Sequence, residues 1–456
     1  MIPEQIIAGT RTVANLATHF EELKQAALHL RERVAARTRG YFTPSEDEEV
    51  RHLLVSYWQS RNALLDLVMA IRDDTELPTK HRPAAFLVGF AAATLLVDAA
   101  WFLRDAYDAN PTIREKLNEP EPHFGIPPGL YDTVQRSLTS PFHAWHLYHA
   151  VKYFGEHKVE LNALARGDPL LTANLEVIDR LGERVRVSAG EYAGARLRVR
   201  ARQIVSSLHH DLIGQALYGL QKMLSRLASD ISTRPAHRHA LPTEVHDGFR
   251  NLLEPGDVLV TRKEYALTNY FLPGYWPHAA LYLGDAPKLE RMGIHEHPNA
   301  KPRWCRLLTA DIQEARRVLE ALKDGVWIRS LKSPLSSDSV VVIRPQLGRT
   351  EIAAALARGL FHEGKPYDFD FDFTRSDRLV CTEVVYRSYE GIGGIRFELR
   401  RRAGRLTLAA EDLLQMALNR SHFEPVAVFA PAHAPDLRTG QQVEPILRAA
   451  LGQSGV

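Results

Sequence analysis

Two residues in the second half of the chain, Cys381 and His278, are of types that carry nucleophilic catalysis. Cys381 stands in DRLVCTEVVYRSY, where polar residues give way to a helical pattern at the cysteine itself. A thiol at a helix N-terminus has a lowered pKa, because the positive end of the helix dipole favours the thiolate. The backbone N–H of the first helical turn would also point at a developing oxyanion. The sequence therefore predicts a nucleophilic thiolate at Cys381.

A thiolate nucleophile needs a base that takes its proton and a group that orients this base. His278 opens the strand-like run HAALYLG and is the predicted base, and Glu320 is the acidic residue of the apolar run VLEAL. A carboxylate on a neighbouring strand could hold the imidazole in the required tautomer. Taken alone, a cysteine in a helix or a histidine on an apolar strand is more often a packing residue. Their joint arrangement favours a Cys–His–Glu triad.

Short runs rich in Val, Ile, Leu and Tyr beyond residue 250 predict the strands that would position these residues. These runs are DVLVTR, HAALYLG, RVLEAL, VWIRSL and SVVVIRP, with helical patterns in EIAAALARGLFHEG and CTEVVYRSYEGI. This alternation is typical of an α+β domain, which we place at residues 241–430. Residues 431–456 are predicted to form a loosely held C-terminal tail with one short helix.

Residues 1–240 are predicted to form an all-helical domain of unknown role, because apolar residues recur there at three- and four-residue spacing. Its last predicted helix covers about residues 192–230, and the proline-containing segment STRPAHRHALPTEVHDG is a predicted linker. Residues 84–103 approach the length of a membrane span. Asp98 and the many Ala and Gly residues in this run favour a buried core helix.

The composition of the chain excludes several classes of function. Its 456 residues favour two domains, and a net charge of +2 gives no electrostatic basis for nucleic acid as the main partner. Two cysteines cannot form a disulfide framework or a cysteine-rich zinc site. The N-terminus lacks the features of a secretory signal, so the expected location is cytoplasmic.

Other clusters of polar residues have plainer interpretations than a ligand site. We interpret the segment YDFDFDF as a strand or extended edge that shows three solvated aspartates on one side rather than as a calcium site. Cys305 is interpreted as a packing residue or an incidental thiol. No metal and no cofactor is predicted. The histidine-containing clusters that match no recognisable metal site are His143 with His146 and His149, HHD at residues 209–211, and HEH at residues 295–297.

The segments that carry the predicted triad resemble the YiiX/YebB-like branch of the NlpC superfamily, the circularly permuted papain-fold cysteine hydrolases. The family elements present, in order, are Gly256-Asp257, His278 with Tyr282 and Gly284, Glu320-Ala321, Gly364 with Tyr367-Asp368, and Cys381. The resemblance covers about residues 250–430 and implies a permuted papain-like domain with a small antiparallel sheet. It also implies the three catalytic roles: nucleophile for Cys381, base for His278 and orienting residue for Glu320. The insertion at residues 286–317 departs from a minimal family member and could be a lid or a specificity loop.

The resemblance implies attack on a carbonyl, a covalent acyl-enzyme, and release of the acyl group to water or to another acceptor. The expected substrate contains an amide or an ester and could be a peptide, a lipid or an acyl thioester. Three aromatic residues of the motif segments, Trp276, Tyr282 and Tyr367, are the predicted substrate contacts.

The loop YALTNYFLPGYWP before His278 would suit an acyl-chain groove or a peripheral membrane contact, but a loop packed on its own domain explains it equally well. The alternative to an enzyme is an inactive binding or scaffold protein that uses the helical domain for partner interaction. The intact Cys, His and Glu favour the enzyme.

Overall fold

A computed structural model describes residues 4–33, 39–70, 78–121, 124, 126–138, 141–185, 241–263, 276–311, 313–402 and 405–452. The chain divides into two compact units, Met1–Pro235 (unit 1) and Ala236–Val456 (unit 2). Several predictions concern parts of the chain outside the described residues. These are the helix at about residues 192–230, most of the predicted linker, the HHD cluster, the loop at residues 264–275, and the side chains of His143 and His146.

Unit 1 is helical over its described residues, as its apolar spacing predicts. Its longest helices are α1 (Glu4–Arg33), α2 (Pro44–Ala70) and α3 (Arg82–Tyr107). The shorter helices that follow are α4 (Pro111–Leu117), α5 (Leu130–Leu138), α6 (Pro141–Glu156), α7 (Lys158–Arg166) and α8 (Pro169–Leu181). Asn110 and Asp168 begin α4 and α8 as N-caps, because each side chain accepts a hydrogen bond from a backbone N–H of the first turn.

The apolar run around Asp98 forms α3, which packs against α1, α2 and α8. The helix is long and apolar enough to cross a membrane by length and composition, and 78% of its most apolar window is buried inside the protein. Asp98 is buried and pairs with Lys24 of α1. A buried carboxylate requires such a cation, so this contact agrees with the predicted core helix.

Unit 2 is built on a seven-stranded antiparallel sheet with the strand order β4-β3-β2-β1-β5-β8-β9. The strands are β1 (Val258–Arg262), β2 (His278–Gly284), β3 (Arg317–Leu322), β4 (Gly325–Ser330), β5 (Ser339–Pro345), β8 (Phe423–Ala430) and β9 (Ala434–Thr439). A separate hairpin joins β6 (Arg400–Arg402) to β7 (Arg405–Thr407). The helices are α9 (Thr243–Leu252), α10 (Ala286–Arg291), α11 (Trp304–Thr309), α12 (Lys332–Leu335), α13 (Arg349–Leu360), α14 (Cys381–Tyr389), α15 (Ala410–Leu418) and α16 (Val443–Gly452).

The two faces of the sheet bury separate cores, because successive side chains of a strand point to opposite faces. Leu281 of β2 belongs to one core with Val384 and Val385 of α14. Tyr282 belongs to the other core, with Phe249 of α9. Helix α14 packs directly on β2, so the sheet positions the start of this helix.

The turn before β1 is fixed by the Gly-Asp pair of the family motif. Gly256 has a φ of 98°, and a Cβ there would come within 2.8 Å of Ile352, so this position requires glycine. Asp257 is buried and accepts two hydrogen bonds of 2.8 Å from Arg344 on β5. The Tyr389 hydroxyl donates to the Gly256 carbonyl. This bond ties the end of α14 to the turn that starts the sheet.

The structure contradicts the loosely held tail predicted for residues 431–456. Strand β9 pairs with β8, and α16 buries Val443, Leu447 and Ala450 in the same core as α14. These three positions recur at four- and three-residue spacing, which gives α16 one apolar face. Residues up to 452 therefore belong to the domain, and the short predicted helix is an integral part of it.

The insertion at residues 286–317 is packed onto unit 2 over its described residues. It contributes Leu289, Ile294 and Leu307 to the core that contains α14. The buried guanidinium of Arg317 donates to the carbonyls of Leu307 at 2.6 Å and Asp311 at 3.1 Å, which holds the end of the insertion against β3. Its chain is thereby fixed to the sheet rather than extended as a free loop.

Candidate active site

Cys381 is the first residue of α14, as the change of pattern at this position predicts. Val380 precedes it with extended backbone angles (φ −91°, ψ 170°), so the helix starts at the cysteine. The side chain is 2% exposed. The Cys381 sulfur lies 3.9 Å from the carbonyl oxygen of Pro277, the residue before His278. The start of the helix and the start of β2 therefore meet at one point.

His278 and Glu320 are brought together by the register of two neighbouring strands. Leu281 of β2 pairs with Leu319 of β3, so the continued register places Glu320 opposite Ala280 and diagonal to His278 on the same face. His278 Nε2 lies 2.9 Å from Glu320 Oε2. The Glu320 side chain is 1% exposed, whereas that of His278 is 20% exposed. The histidine is therefore the partner that can reach solvent.

His278 and Cys381 also act on each other electrostatically, because each residue shifts the pKa of the other. Burial lowers the pKa of His278, but the charge and hydrogen bond of Cys381 and those of Glu320 outweigh it and raise this pKa to about 9. Burial raises the pKa of the Cys381 thiol, but the charge and hydrogen bond of His278 lower it overall. Both shifts favour a thiolate paired with an imidazolium.

Backbone amides add to the stabilisation of the sulfur anion. The backbone N–H groups of Ala279 and Thr382 lower the pKa of Cys381 further. Thr382 belongs to the first turn of α14, where backbone N–H groups have no partner within the helix. The helix N-terminus thus lowers the pKa of Cys381 through the N–H groups of its first turn as well as through the helix dipole.

Ser333 and Arg329 hold the second oxygen of the Glu320 carboxylate. The Ser333 hydroxyl donates to Oε1, and the Arg329 Nε lies 3.6 Å from the same oxygen. Burial raises the pKa of Glu320, but the hydrogen bond and charge of His278, the charge of Arg329 and the Ser333 hydrogen bond lower it overall. Arg329 is itself paired with Asp324. The buried carboxylate is therefore kept ionised beside the imidazole.

Tyr367 is the predicted substrate contact whose pKa is shifted by the charge of Cys381. It is half-buried and pairs with Leu379 in a short parallel bridge just before α14. Burial raises the pKa of Tyr367, and the charge of Cys381 raises it further, which reflects their proximity. Tyr367 packs edge-on against Phe369 at 5.0 Å between ring centroids.

The structure contradicts the predicted substrate contacts at Tyr282 and Trp276. Tyr282 is 0% exposed and packs with Phe249 and Val318 on the sheet face opposite Val384 of α14. Trp276 is 1% exposed, and its ring belongs to the core that contains α14. Both aromatic side chains serve packing, because neither presents a surface that a substrate could touch.

The aspartates of YDFDFDF do not lie on a strand, so this prediction is wrong. The segment forms consecutive turns, with Phe371 in the left-handed region at a φ of 54°. Asp368 is fully buried, and its carboxylate accepts backbone N–H bonds from Asp370 at 3.0 Å and Asp372 at 2.6 Å. Asp370 and Asp372 are partly buried beside Arg405. The three carboxylates organise the turns rather than face solvent together.

Glu383 is a further buried acid of α14 that the sequence did not single out. It is fully buried and paired with Arg387, whose guanidinium also donates to the carbonyls of Phe373 and Arg375. Burial raises the pKa of Glu383 to about 8, although the charge and hydrogen bond of Arg387 act in the opposite direction. These contacts hold the turns that contain Phe373 and Arg375 against α14, the helix that begins at Cys381.

Within the described residues, no group of three or more His, Cys, Asp or Glu side chains is arranged to hold a metal ion. Cys305 is exposed on the insertion, whereas Cys381 is buried. The two cysteines of the chain are therefore in different environments, and His278 lowers the pKa of Cys381 alone among the described residues that are cysteines.

Comparison with known proteins gives one match. Residues 252–439 match the model of the family described as permuted papain-like amidase enzyme, YaeF/YiiX, C92 family. The matched range contains all seven strands of the large sheet together with α14. This confirms the resemblance and the permuted papain-like fold for the C-terminal half, and it indicates a cysteine hydrolase. Searches of curated proteins and of solved structures gave no match.

Proposed function

We propose that unit 2 hydrolyses amide bonds through an acyl-enzyme on Cys381. The observation that carries the proposal is the hydrogen bond of 2.9 Å between His278 and Glu320, beside a Cys381 sulfur that lies 3.9 Å from the carbonyl of Pro277, the residue before His278. Cys381 is the nucleophile, His278 is the general acid and base, and Glu320 is the positioning residue. The amidase description of the matching family supports the same reaction class.

The reaction begins when the Cys381 thiolate attacks the amide carbon and forms a carbon–sulfur bond. The carbonyl oxygen becomes an oxyanion, to which the backbone N–H of Cys381 can donate from the first turn of α14. The His278 imidazolium then gives its proton to the nitrogen of the leaving amine as the carbon–nitrogen bond breaks. A thioester on Cys381 and a neutral imidazole remain.

Hydrolysis of the thioester returns the site to its starting state. Neutral His278 takes a proton from a water molecule while the water oxygen attacks the thioester carbon. The tetrahedral intermediate collapses, the carbon–sulfur bond breaks, and the carboxylic acid leaves. Cys381 is again a thiolate and His278 again an imidazolium, so the proton that His278 gave to the amine is replaced by one from water.

The high pKa of His278 is the reason for proposing an amide rather than an ester or a thioester. An amine is a poor leaving group until its nitrogen is protonated, whereas an alkoxide or a thiolate leaves more readily. A pKa of about 9 keeps the imidazole protonated near neutral pH, so the acid is present before attack. Transfer of the acyl group to another acceptor would use the same intermediate and is an outcome that the product analysis below would detect.

The test combines thiol labelling with product analysis on the full chain. A thiol-reactive acyl probe should label the wild type and a Cys305→Ala variant, but it should not label Cys381→Ala. A panel of peptides, N-acyl amines, acyl thioesters and phospholipids should release product only with Cys381 present, and amides should be cleaved. Equal labelling of Cys381→Ala, or cleavage confined to thioesters and phospholipids, would overturn the proposal.

A further inference from the structure

Five side chains of alternating charge extend from the nucleophilic sulfur to the turn between β3 and β4. The pKa values of Cys381 and Glu320 are lowered and that of His278 is raised, so the first three alternate as anion, cation and anion. Arg329 Nε lies 3.6 Å from Glu320 Oε1, and Arg329 Nη2 lies 2.5 Å from Asp324 Oδ1. The reaction proposed above assigns no part to the charge of Asp324.

The turn between β3 and β4 fixes the position of Asp324. Leu322 pairs with Gly325, so the two strands are joined by a two-residue turn that contains Asp324. Gly325 has a φ of 108°, and a Cβ there would come within 2.5 Å of the Lys365 carbonyl oxygen, so this position requires glycine. The Trp327 indole donates to the Asp324 carbonyl at 2.9 Å. The turn therefore holds the Asp324 side chain inside the domain, where it is 2% exposed.

The register of β3 and β4 places one guanidinium between two buried acids. Glu320 pairs with Trp327, and Arg329 follows two residues later on the same face of β4. Arg329 therefore reaches Glu320 as well as Asp324. Asp324 Oδ2 is buried and has no hydrogen-bond partner within the described residues, so Arg329 is the cation that this carboxylate contacts there.

Arg329 acts on the site in two opposing ways. Its charge helps to keep Glu320 ionised, as the lowered pKa of this carboxyl shows. The same positive charge opposes the His278 imidazolium, which contacts the same carboxylate. Charges in a protein interior are weakly screened, so this opposition matters unless another anion compensates the guanidinium. Asp324 is such an anion.

We propose that Asp324 is a positioning residue that acts through Arg329. It compensates the guanidinium, so that the charge of Glu320 remains available to hold the proton on His278. The inference deepens the proposed function and rests on it, because it concerns the proton of the general acid in that reaction.

The elements around the imidazole contribute few other charges. Cys381 of α14 and Glu320 of β3 are the charged groups that act on His278. From α12, the Ser333 hydroxyl reaches Glu320 without adding a charge, and Lys332 pairs with an aspartate of the insertion at 3.0 Å. The turn between β3 and β4 is thus connected to the imidazole through the Glu320 carboxylate and its guanidinium partner.

The experiment measures the proton on His278 without a substrate. It uses the full chain with Cys305→Ala, so that Cys381 is the remaining thiol. The rate of Cys381 alkylation by iodoacetate is followed against pH by mass spectrometry. The rate should fall at a pH of about 9, because the imidazolium that attracts this anionic reagent then loses its proton. This fall is the alkaline limb. If amides are not cleaved but the limb is present, the proposed function fails while the role of Asp324 can still be measured.

Two substitutions should move the alkaline limb in opposite directions. Asp324→Asn should lower it by about one pH unit, because the uncompensated charge of Arg329 then opposes the imidazolium. Arg329→Gln should raise it, because a cation near the imidazolium is removed. A mere loss of packing around Glu320 would lower it instead. The double variant should bring the limb back close to that of the wild type, because both charges are absent.

The matched control is Glu363→Gln. The Glu363 side chain is 10% exposed and pairs with Arg306 at 2.7 Å, so its variant also loses a mostly buried ion pair. Its alkaline limb should stay at that of the wild type. An unchanged or raised limb in Asp324→Asn, or a lowered limb in Arg329→Gln, would overturn the proposal. Circular dichroism identifies a variant that does not fold, and either single variant decides alone because the two expected shifts differ in sign.

Discussion

The Glu320 carboxylate lies 2.9 Å from His278 Nε2 and is almost completely buried, whereas the histidine retains some exposure. A buried carboxylate can remain ionised only when other groups compensate its charge. Here His278, Arg329 and Ser333 do so, and the pKa of Glu320 is lowered despite its burial. The carboxylate in turn raises the pKa of His278, so the two residues stabilise each other's charged forms.

The first prediction concerns the pH dependence of kcat/KM for an amide substrate. Activity should rise with pH as the Cys381 thiol ionises, at a pH below the usual range because His278 lowers the pKa of this thiol. It should fall again at a pH of about 9, where the His278 imidazolium loses its proton. A complete pH–rate profile checks both limbs. An alkaline limb at about 6.5, the usual pKa of histidine, would contradict the thiolate–imidazolium pair.

The second prediction concerns Glu320→Gln, which keeps the shape of the side chain and removes its charge. The pKa of His278 should fall, because one of the groups that raise it is lost, so the alkaline limb should move to lower pH. We expect kcat to fall roughly 10- to 100-fold, since the imidazole also loses its charged orienting acceptor. Kinetic profiles of the variant and the wild type measure both effects.

A matched control for this substitution is Glu314→Gln. Glu314 is also 1% exposed, and it pairs with Arg250 at 3.0 Å rather than with the histidine. Its loss should lower the free energy of unfolding and leave the alkaline limb in place. If both variants shift the alkaline limb equally, the shift reports a general loss of packing and the role given to Glu320 is wrong.

The third prediction assigns Ser333 to the positioning of Glu320. Ser333→Ala removes a hydrogen bond to a charged oxygen and should lower kcat about tenfold with little change in KM. The pKa of Glu320 should rise when this donor is lost, but the carboxylate stays ionised at alkaline pH, so the alkaline limb should remain near 9. Ser336→Ala is the control, since Ser336 follows the same short helix and donates to the Lys332 carbonyl. Equal kinetics for the two alanine variants would refute the assignment.

The three residues of the proposed triad stand out in the sequence because each disturbs a local pattern. His278 and Glu320 are polar residues in apolar strands, and Cys381 stands where a helical pattern begins. A polar side chain in an apolar strand needs a partner, so its presence indicates another polar group nearby. The order of these segments along the chain and the family motif around them together predicted the fold of unit 2.

The rest of the site depends on relationships that local patterns do not contain. Arg329 lies near Glu320 because β3 and β4 pair with Glu320 opposite Trp327, and Ser333 reaches it from the helix after β4. The burial of Asp368 depends on a left-handed residue, Phe371, which alternation of aromatic and acidic residues does not reveal. Tyr282 matched the motif, but it lies four residues further along β2 than His278, where its side chain packs on Phe249 of α9.

The fourth prediction distinguishes packing from substrate binding at Tyr282. Its hydroxyl is buried and has no hydrogen-bond partner among the described residues, so its removal should cost nothing. Tyr282→Phe should leave kcat/KM within about twofold and should raise the free energy of unfolding by about 1 kcal/mol. Steady-state kinetics and denaturant titration measure the two quantities. A rise in KM of tenfold would restore Tyr282 as a substrate contact.

The fifth prediction concerns the buried acid Glu383 and the stability of the fold at alkaline pH. The pKa of this carboxyl in the folded protein is raised to about 8, above its usual value, so the folded state holds a proton that the unfolded state has lost. The stability that this proton contributes is fully present below the pH at which an unfolded glutamate ionises, about 4.3, and is lost as pH rises through 8. The wild type should therefore unfold more easily at pH 9 than at pH 6.

Glu383→Gln removes this titration and should flatten the pH dependence. The amide resembles the protonated acid in shape and cannot ionise. Between pH 6 and pH 9 the free energy of unfolding of the variant should therefore fall by roughly 1–3 kcal/mol less than that of the wild type. Denaturant unfolding at the two pH values measures this difference. The Arg387 ion pair opposes the effect, because it favours the charged carboxylate. A variant that loses as much stability as the wild type over this range would show that Glu383 is ionised in the folded protein at pH 6 and that Arg387 fully compensates its burial.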